Sequence, residues 1–149
     1  MLALAVRFGG NVAIEIQGLC PLIQVYDMPE SVAFYTGVLG FEVITRSPTY
    51  ATEDDVDLFH WALLRCGEAQ LMINTAYDEG ERPSARDYER EAQHRDTGLY
   101  LGCPDVDGAY AELQELGVVC EPPKDAHYGM RQLSLRDPDG YGVTLQWTV

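Results

Sequence analysis

The chain has 149 residues and a net charge of −14, from 24 acidic and 10 basic side chains, and 46% of it is hydrophobic. That is enough apolar surface for one packed domain, or for two half-size modules sharing a core, and it excludes global disorder. So acidic a surface repels phosphate backbones and anionic lipid, which makes nucleic acid and membranes poor partners and leaves a weak pull on cations.

The N-terminal MLALAV lacks the basic start and small-residue cleavage site of a secretory signal. Residues 1–18 read as an extension, with an extra strand as one option. No apolar run approaches the ~20 residues a membrane-spanning helix needs. The four cysteines, Cys20, Cys66, Cys103 and Cys120, form no C-x-x-C pair, and three lie within or beside apolar stretches. They read as reduced, mostly buried thiols of a cytoplasmic protein.

From residue 19 the pattern becomes regular. LCPLIQV alternates, with Ile23 and Val25 on one side, and Asp27 then suits a helix N-cap with Pro29 and Glu30 in the first turn. Val32, Tyr35 and Leu39 follow at helical spacing, and Leu39-Gly40-Phe41 supplies a left-handed C-terminal cap. RSPTYATEDDVD, residues 46–57, reads as a polar loop. Its acidic cluster, Glu53, Asp54, Asp55 and Asp57, lacks a glycine-turned calcium pattern and reads as solvated. FHWALLRCGEAQLMIN, residues 59–74, is strand, tight turn, strand. TAYDEGERPSARDYEREAQHRD, residues 75–96, is almost all polar or charged: a connector with one or two exposed helical turns between Arg86 and Gln93.

The same grammar then returns. TGLYLGCPDVDGAYAELQELGVVCEP, residues 97–122, gives a strand with Leu99, Leu101 and Cys103, and then a capping Asp105. Apolar helix positions follow at Val106, Ala109, Tyr110, Leu113 and Leu116, with a stop at Gly117. MRQLSLRDPDGYGVTLQW, residues 130–147, repeats strand–turn–strand through DPDG, where Asp137 and Asp139 bond back to their own backbone. The modules at 19–74 and 97–149, on either side of the connector, are therefore each β-α-β-β-β. Such a module is an α+β layer with helix on one face of its sheet and the other face free. Two of them side by side form a cup-shaped half-barrel with the helices outside.

Alternate residues point into that cup. The first module offers Cys20, Leu22 and Gln24 from its first strand and Gln70, Met72 and Asn74 from its last. The second offers Gly98, Tyr100 and Gly102, then Gln132 and Ser134, then Thr144 and Gln146. This neutral lining of apolar and amide groups suits an organic ligand held by contact area and a few directed hydrogen bonds. Trp61, Tyr128 and Phe59 stand near the rim, placed to stack a flat ligand or a cation, with Trp61 serving equally well as core packing. No inward acid–base pair, Ser-His-Asp spacing or glycine-rich phosphate loop is present, so no catalytic residue is assigned. Cys20 is the one inward nucleophile, and without a His or Lys beside it the thiol, of free pKa ~8.5, stays protonated.

VYDMPESVAFYTGVLGFEV in the first module and GMRQLSLRDPDGYGVTLQW in the second resemble the vicinal oxygen chelate superfamily. That group holds glyoxalases, bleomycin-resistance proteins, extradiol dioxygenases and fosfomycin-resistance enzymes, and the resemblance spans residues 19–149. It implies the cup fold and a homodimer, each cup completed by modules of one chain or of two, but no single function. Metal-dependent members place two histidines and two acidic ligands at four inward positions. Here those positions carry Cys20, seven before Asp27, Gly98, seven before Asp105, and then Met72 and Thr144. The resemblance therefore implies neither metal nor other cofactor. Tyr128-Gly129-Met130-Arg131 is similar to the Trp-Gly-Met-Arg run of the bleomycin-resistance branch, with Tyr for Trp. The expectation is a cytoplasmic, metal-free protein that binds a small organic ligand, cationic or aromatic. The alternative is a lyase, isomerase or dioxygenase with a displaced divalent-metal site drawn from His60, His94 and His127. Each of these reads otherwise as a surface or packing histidine.

Overall fold

The computed structural model describes residues 15–149. Residues 1–14, and the extra strand considered for them, lie outside the described residues. The first module comprises β1 (Leu22–Val25), α1 (Met28–Ala33), β2 (Glu42–Arg46), β3 (Ala51–Glu53), β4 (Val56–Leu58), β5 (Trp61–Cys66) and β6 (Ala69–Thr75). A connector holding α2 (Tyr88–Gln93) and a 3-10 turn at His94–Asp96 leads to the second. That module has β7 (Gly98–Gly102), α3 (Val106–Glu115), β8 (Lys124–Ala126), β9 (Met130–Arg136) and β10 (Gly142–Thr148).

Two four-stranded sheets result, in the orders β1-β6-β5-β2 and β7-β10-β9-β8. In each, the first strand of the module runs parallel to its last, and the remaining pairs are antiparallel. The duplicated β-α-β-β-β grammar is thus the topology. One face of each sheet carries the core: Ile23, Val25, Leu64 and Ile73 in the first, and Leu133, Leu135, Val143 and Leu145 in the second. The modules meet on these core sides. Phe34 and Leu39 pack against both cores, and Leu99 and Leu101 of β7 pack against the first.

Helix α1 starts as its sequence dictates, with the Asp27 carboxylate accepting from the Glu30 amide at 2.9 Å. It does not stay α-helical to Leu39. Phe34–Val38 form a π-helical turn in which the Leu39 amide donates to the Phe34 carbonyl at 3.3 Å. The Thr36 hydroxyl donates back to the Val32 carbonyl at 2.8 Å, offering that acceptor a side-chain partner in this stretch. Gly40 then closes the helix at φ +73°. Gly40→Ala is expected to cost about 1–2 kcal/mol in urea unfolding, since an L side chain resists the left-handed region even where open space surrounds the Cβ.

Residues 46–57 are not a plain loop. β3 and β4 form a hairpin whose two turn residues, Asp54 and Asp55, both have positive φ (48° and 64°). That is the primed turn a two-residue hairpin favours, with Asp in place of the usual Asn-Gly, which is why its signal was weak. Asp57 of the acidic cluster pairs with Arg46 at 2.9 Å. Phe59, expected at the rim, is only 8% exposed and belongs to the first core, with the Arg46 guanidinium 4.7 Å above its ring. The cysteines are less buried than expected: Cys66 is exposed and the other three are half-buried.

The DPDG turn does more than reverse the chain. Asp137 accepts from the Asp139 and Tyr141 amides at 3.0 and 2.8 Å, as a turn aspartate does, and its other oxygen accepts from the Tyr35 hydroxyl at 2.9 Å. Asp139 does not bond back to its own backbone. Fully buried, it accepts from the Tyr26 amide at 2.8 Å and from Arg90 of α2. The Tyr141 hydroxyl accepts from the Gln24 amide at 3.3 Å. One turn therefore ties the second module to the first and to the connector.

Candidate ligand-binding faces

Strand register decides which side chains share a surface. On the first sheet Leu22, Met72 and Leu63 stand level across three strands, as do Gln24, Asn74 and Trp61. All lie on the side opposite Ile23, Leu64 and Ile73, so this is the free face. Asn74 Nδ2 donates to Gln24 Oε1 at 3.3 Å. Gln70 sits level with Arg65 on the same face, and Trp61 stands here half-buried. Cys20 lies two residues before β1, half-buried, with its thiol 3.9 Å from the Pro21 carbonyl oxygen.

The second free face has three rungs: Gly98, Gly142 and Arg136; Tyr100, Thr144 and Ser134; Gly102, Gln146 and Gln132. The Ser134 and Thr144 hydroxyls are 3.1 Å apart. Gln132 Nε2 donates both its protons, to Gln146 Oε1 and to the Tyr128 hydroxyl, each at 2.8 Å. With both donors committed, the chain of partners leaves the Tyr128 O–H, the Gln132 carbonyl and the Gln146 amide protons for a ligand. A cavity of about 470 Å3 lies over the first two rungs, lined by Gly98, Tyr100, Ser134 and Thr144, with Arg95, Asp96 and Arg136 around it. The candidates thus gather in two groups, one per module, and no hydrogen bond among the described residues joins one group to the other.

The donors at the four family metal positions do not suit a divalent ion. Thr144 is 8% exposed and its hydroxyl already faces Ser134. Gly98 has no side chain, and a Cβ there would meet the Tyr100 ring at 3.1 Å. Met72 offers a thioether and Cys20 a sulfur, a soft and incomplete set beside the nitrogen and oxygen ligands such ions take. The histidines stand apart. His60 Nδ1 is 3.1 Å from the Thr75 hydroxyl and its ring stacks on Tyr50. His94 Nδ1 is 2.7 Å from the Asp139 carbonyl and its ring stacks on Tyr141. His127 packs edge-on against Tyr128. Among the described residues, no three His, Cys, Asp or Glu side chains converge as a metal site.

A larger cleft, about 710 Å3, lies between the modules on the core side, walled by Phe41, Leu101, Leu113 and Trp147. It contains none of the hydrogen-bonding candidates, its polar lining coming from Glu68, Glu112, Cys66 and Cys103. Sequence reasoning missed Arg95 and Arg136. The alternation that placed Gln132 and Ser134 on the free face places Arg136 there as well, and Arg95 sits in the turn leading into β7.

The paired βαβββ modules, with helix on one face and a hydrogen-bonding surface on the other, define an α+β fold of the cup type. A family profile described as Glyoxalase/Bleomycin resistance protein/Dioxygenase superfamily matches residues 17–145, and the chain belongs to that superfamily. Among solved structures it is similar to a bleomycin-binding protein complexed with bleomycin (18% identity, TM-score 0.64), covering 90% of this chain and 100% of that one. It is also similar to TnmS3, an antibiotic-binding protein from Streptomyces sp. CB03234 (24%, TM-score 0.65, covering 93% and 99%). A lactoylglutathione lyase from Agrobacterium tumefaciens matches at 17% and TM-score 0.61, covering 89% and 94%. Likeness at these identities establishes the fold. No helix among the described residues is long and apolar enough to cross a membrane.

Proposed function

We propose that this chain is a cytoplasmic small-molecule-binding protein that holds an organic, aromatic ligand against its free faces without a metal. The observation that carries this reading is the Tyr128–Gln132–Gln146 relay, which leaves directed donors and an acceptor one rung along the second free face from Tyr100, an aromatic residue 62% exposed. An exposed ring next to unspent hydrogen-bonding capacity is what a flat polar ligand covers. The bleomycin-binding and antibiotic-binding relatives support the same use of the fold. Each free face is one wall, and a homodimer supplies the opposing wall to each.

Two measurements test this. Elemental analysis of untagged protein, purified without chelator, is expected to find far less than one transition metal per chain, with no thermal shift on adding Zn, Ni, Mn or Fe. One equivalent would overturn the metal-free reading. Naphthalene-2-carboxamide, a neutral flat probe, is expected to bind saturably, and Gln132→Ala to weaken it about tenfold through loss of the relay. Binding that ignores Gln132→Ala would remove the second face from the site.

A further inference from the structure

Positive charge is scarce in this chain, and where it is left unpaired is informative. Of the 10 basic residues, Arg7 lies outside the described residues. Arg46, Arg82, Arg86, Arg90, Lys124 and Arg131 are each in an ion pair with a carboxylate. Among the described residues, the remaining three, Arg65, Arg95 and Arg136, have no such partner. Arg65 lies on the free face of the first sheet, while Arg95 and Arg136 border the same cavity on the second.

The floor of that cavity is equally specific. Gly98 and Gly142 stand level on β7 and β10 beside Arg136 on β9, and the Tyr100 ring lies over Gly98, 3.1 Å from where a Cβ would stand. Arg95 enters no hydrogen bond among the described residues, and Arg136 donates one, to the Gly140 carbonyl at 2.7 Å, leaving most of each fork uncommitted. Asp96 also borders the cavity. Two guanidinium groups against one carboxylate leave a single excess positive charge there, which balances a monoanion better than a phosphate dianion.

We infer that the ligand held on the second free face is an aromatic carboxylic acid, its carboxylate seated between Arg95 and Arg136 and its ring against Tyr100. A planar guanidinium fork matches a planar carboxylate in two parallel hydrogen bonds. The inference rests on the binding function proposed above and adds the charge of the ligand. It opposes the expectation of a cationic ligand drawn from the whole-chain charge, because the field at a cavity is set by the groups that line it.

Three probes sharing the naphthalene ring system separate the possibilities: 2-naphthoate, naphthalene-2-carboxamide and 2-naphthylmethylammonium, titrated calorimetrically into the full chain. The acid is expected to bind at least tenfold more tightly than the amide, and the ammonium more weakly than either. Arg95→Gln and Arg136→Gln are each expected to weaken the acid about tenfold and leave the amide unchanged, with Arg136→Lys retaining part of the affinity. Unchanged melting temperatures would show that the variants are folded, and Arg95, which has no described partner to lose, guards against a folding artefact at Arg136. Equal binding of acid and amide, preference for the ammonium, or acid binding that ignores both arginine variants would overturn the inference while leaving the binding function standing. If none of the three binds, both fall together.

Discussion

Replacing Asp139 by alanine is expected to lower the unfolding free energy by about 3–5 kcal/mol, the range for breaking a buried ion pair from one side. The carboxylate has 0% exposure and satisfies the Tyr26 amide at 2.8 Å as well as Arg90. Its removal leaves the Tyr26 amide and Arg90 Nη2 without that acceptor, and Arg90 already holds one buried nitrogen, Nε, with no partner among the described residues. Asp139→Asn keeps an oxygen for the Tyr26 amide and should lose distinctly less. Urea unfolding of the two variants beside the parent measures the difference. A loss below 1 kcal/mol for the alanine would mean that the Asp139 carboxylate does not hold the inter-module junction together.

Asp137 gives the second large effect, and its sign is unusual. Burial pushes its carboxyl up to about 6 from an ordinary 3.8, against the hydrogen bonds from Tyr35 and from the Tyr141 and Asp139 amides, which pull it down. The same burial, together with the nearby Asp137 charge, raises the Tyr35 hydroxyl, which stays a donor throughout the physiological range. With the folded pKa above the unfolded one, the folded chain binds more protons between about pH 4 and 6. This group's contribution therefore rises as pH falls from 7 towards 4, by about 3 kcal/mol in full, and is lost as pH rises through 6. Asp137→Asn, which imitates the protonated form, should be at least as stable as the parent at pH 7.5 and should flatten the pH dependence between 7.5 and 5. A parent whose stability relative to Asp137→Asn fell on acidification over that interval would show that the hydrogen bonds outweigh burial.

Much of this architecture was legible because duplication repeats each signal. An alternating strand, an aspartate cap, a helical stripe and a glycine stop appear at 22–40 and again at 98–117, so each copy corroborates the other. Alternation alone also assigned Thr144 and Gln132 to a free face, since a period of two admits only two answers. What escaped was non-local. Asp139 looked like an ordinary turn residue, and nothing within DPDG says that its carboxylate meets Tyr26 and Arg90, 113 and 49 positions away. Phe59 was misplaced because an aromatic residue at a strand entrance has the same local signature at a rim and in a core. The β3–β4 hairpin escaped because Asp-Asp is a poor advertisement for a primed turn. Arg95 and Arg136 were visible but unweighed, because the significance of a charge lies in whether anything neutralises it, and that needs coordinates.

The hairpin has no counterpart in the second module, where β8 corresponds to β2 and leads directly to β9. Its strands pair only with each other, in a sheet of two. The two halves of this duplicated chain have therefore parted in their freedom to change. The DPDG side is bound by partners in every neighbouring element, so drift there disturbs the whole. The hairpin side can lengthen, shorten or change composition while the four-stranded sheets keep their register. New specificity in descendants of such a chain has a place to accumulate, in a hairpin beside the start of α1 that shares no strand pairing with either four-stranded sheet.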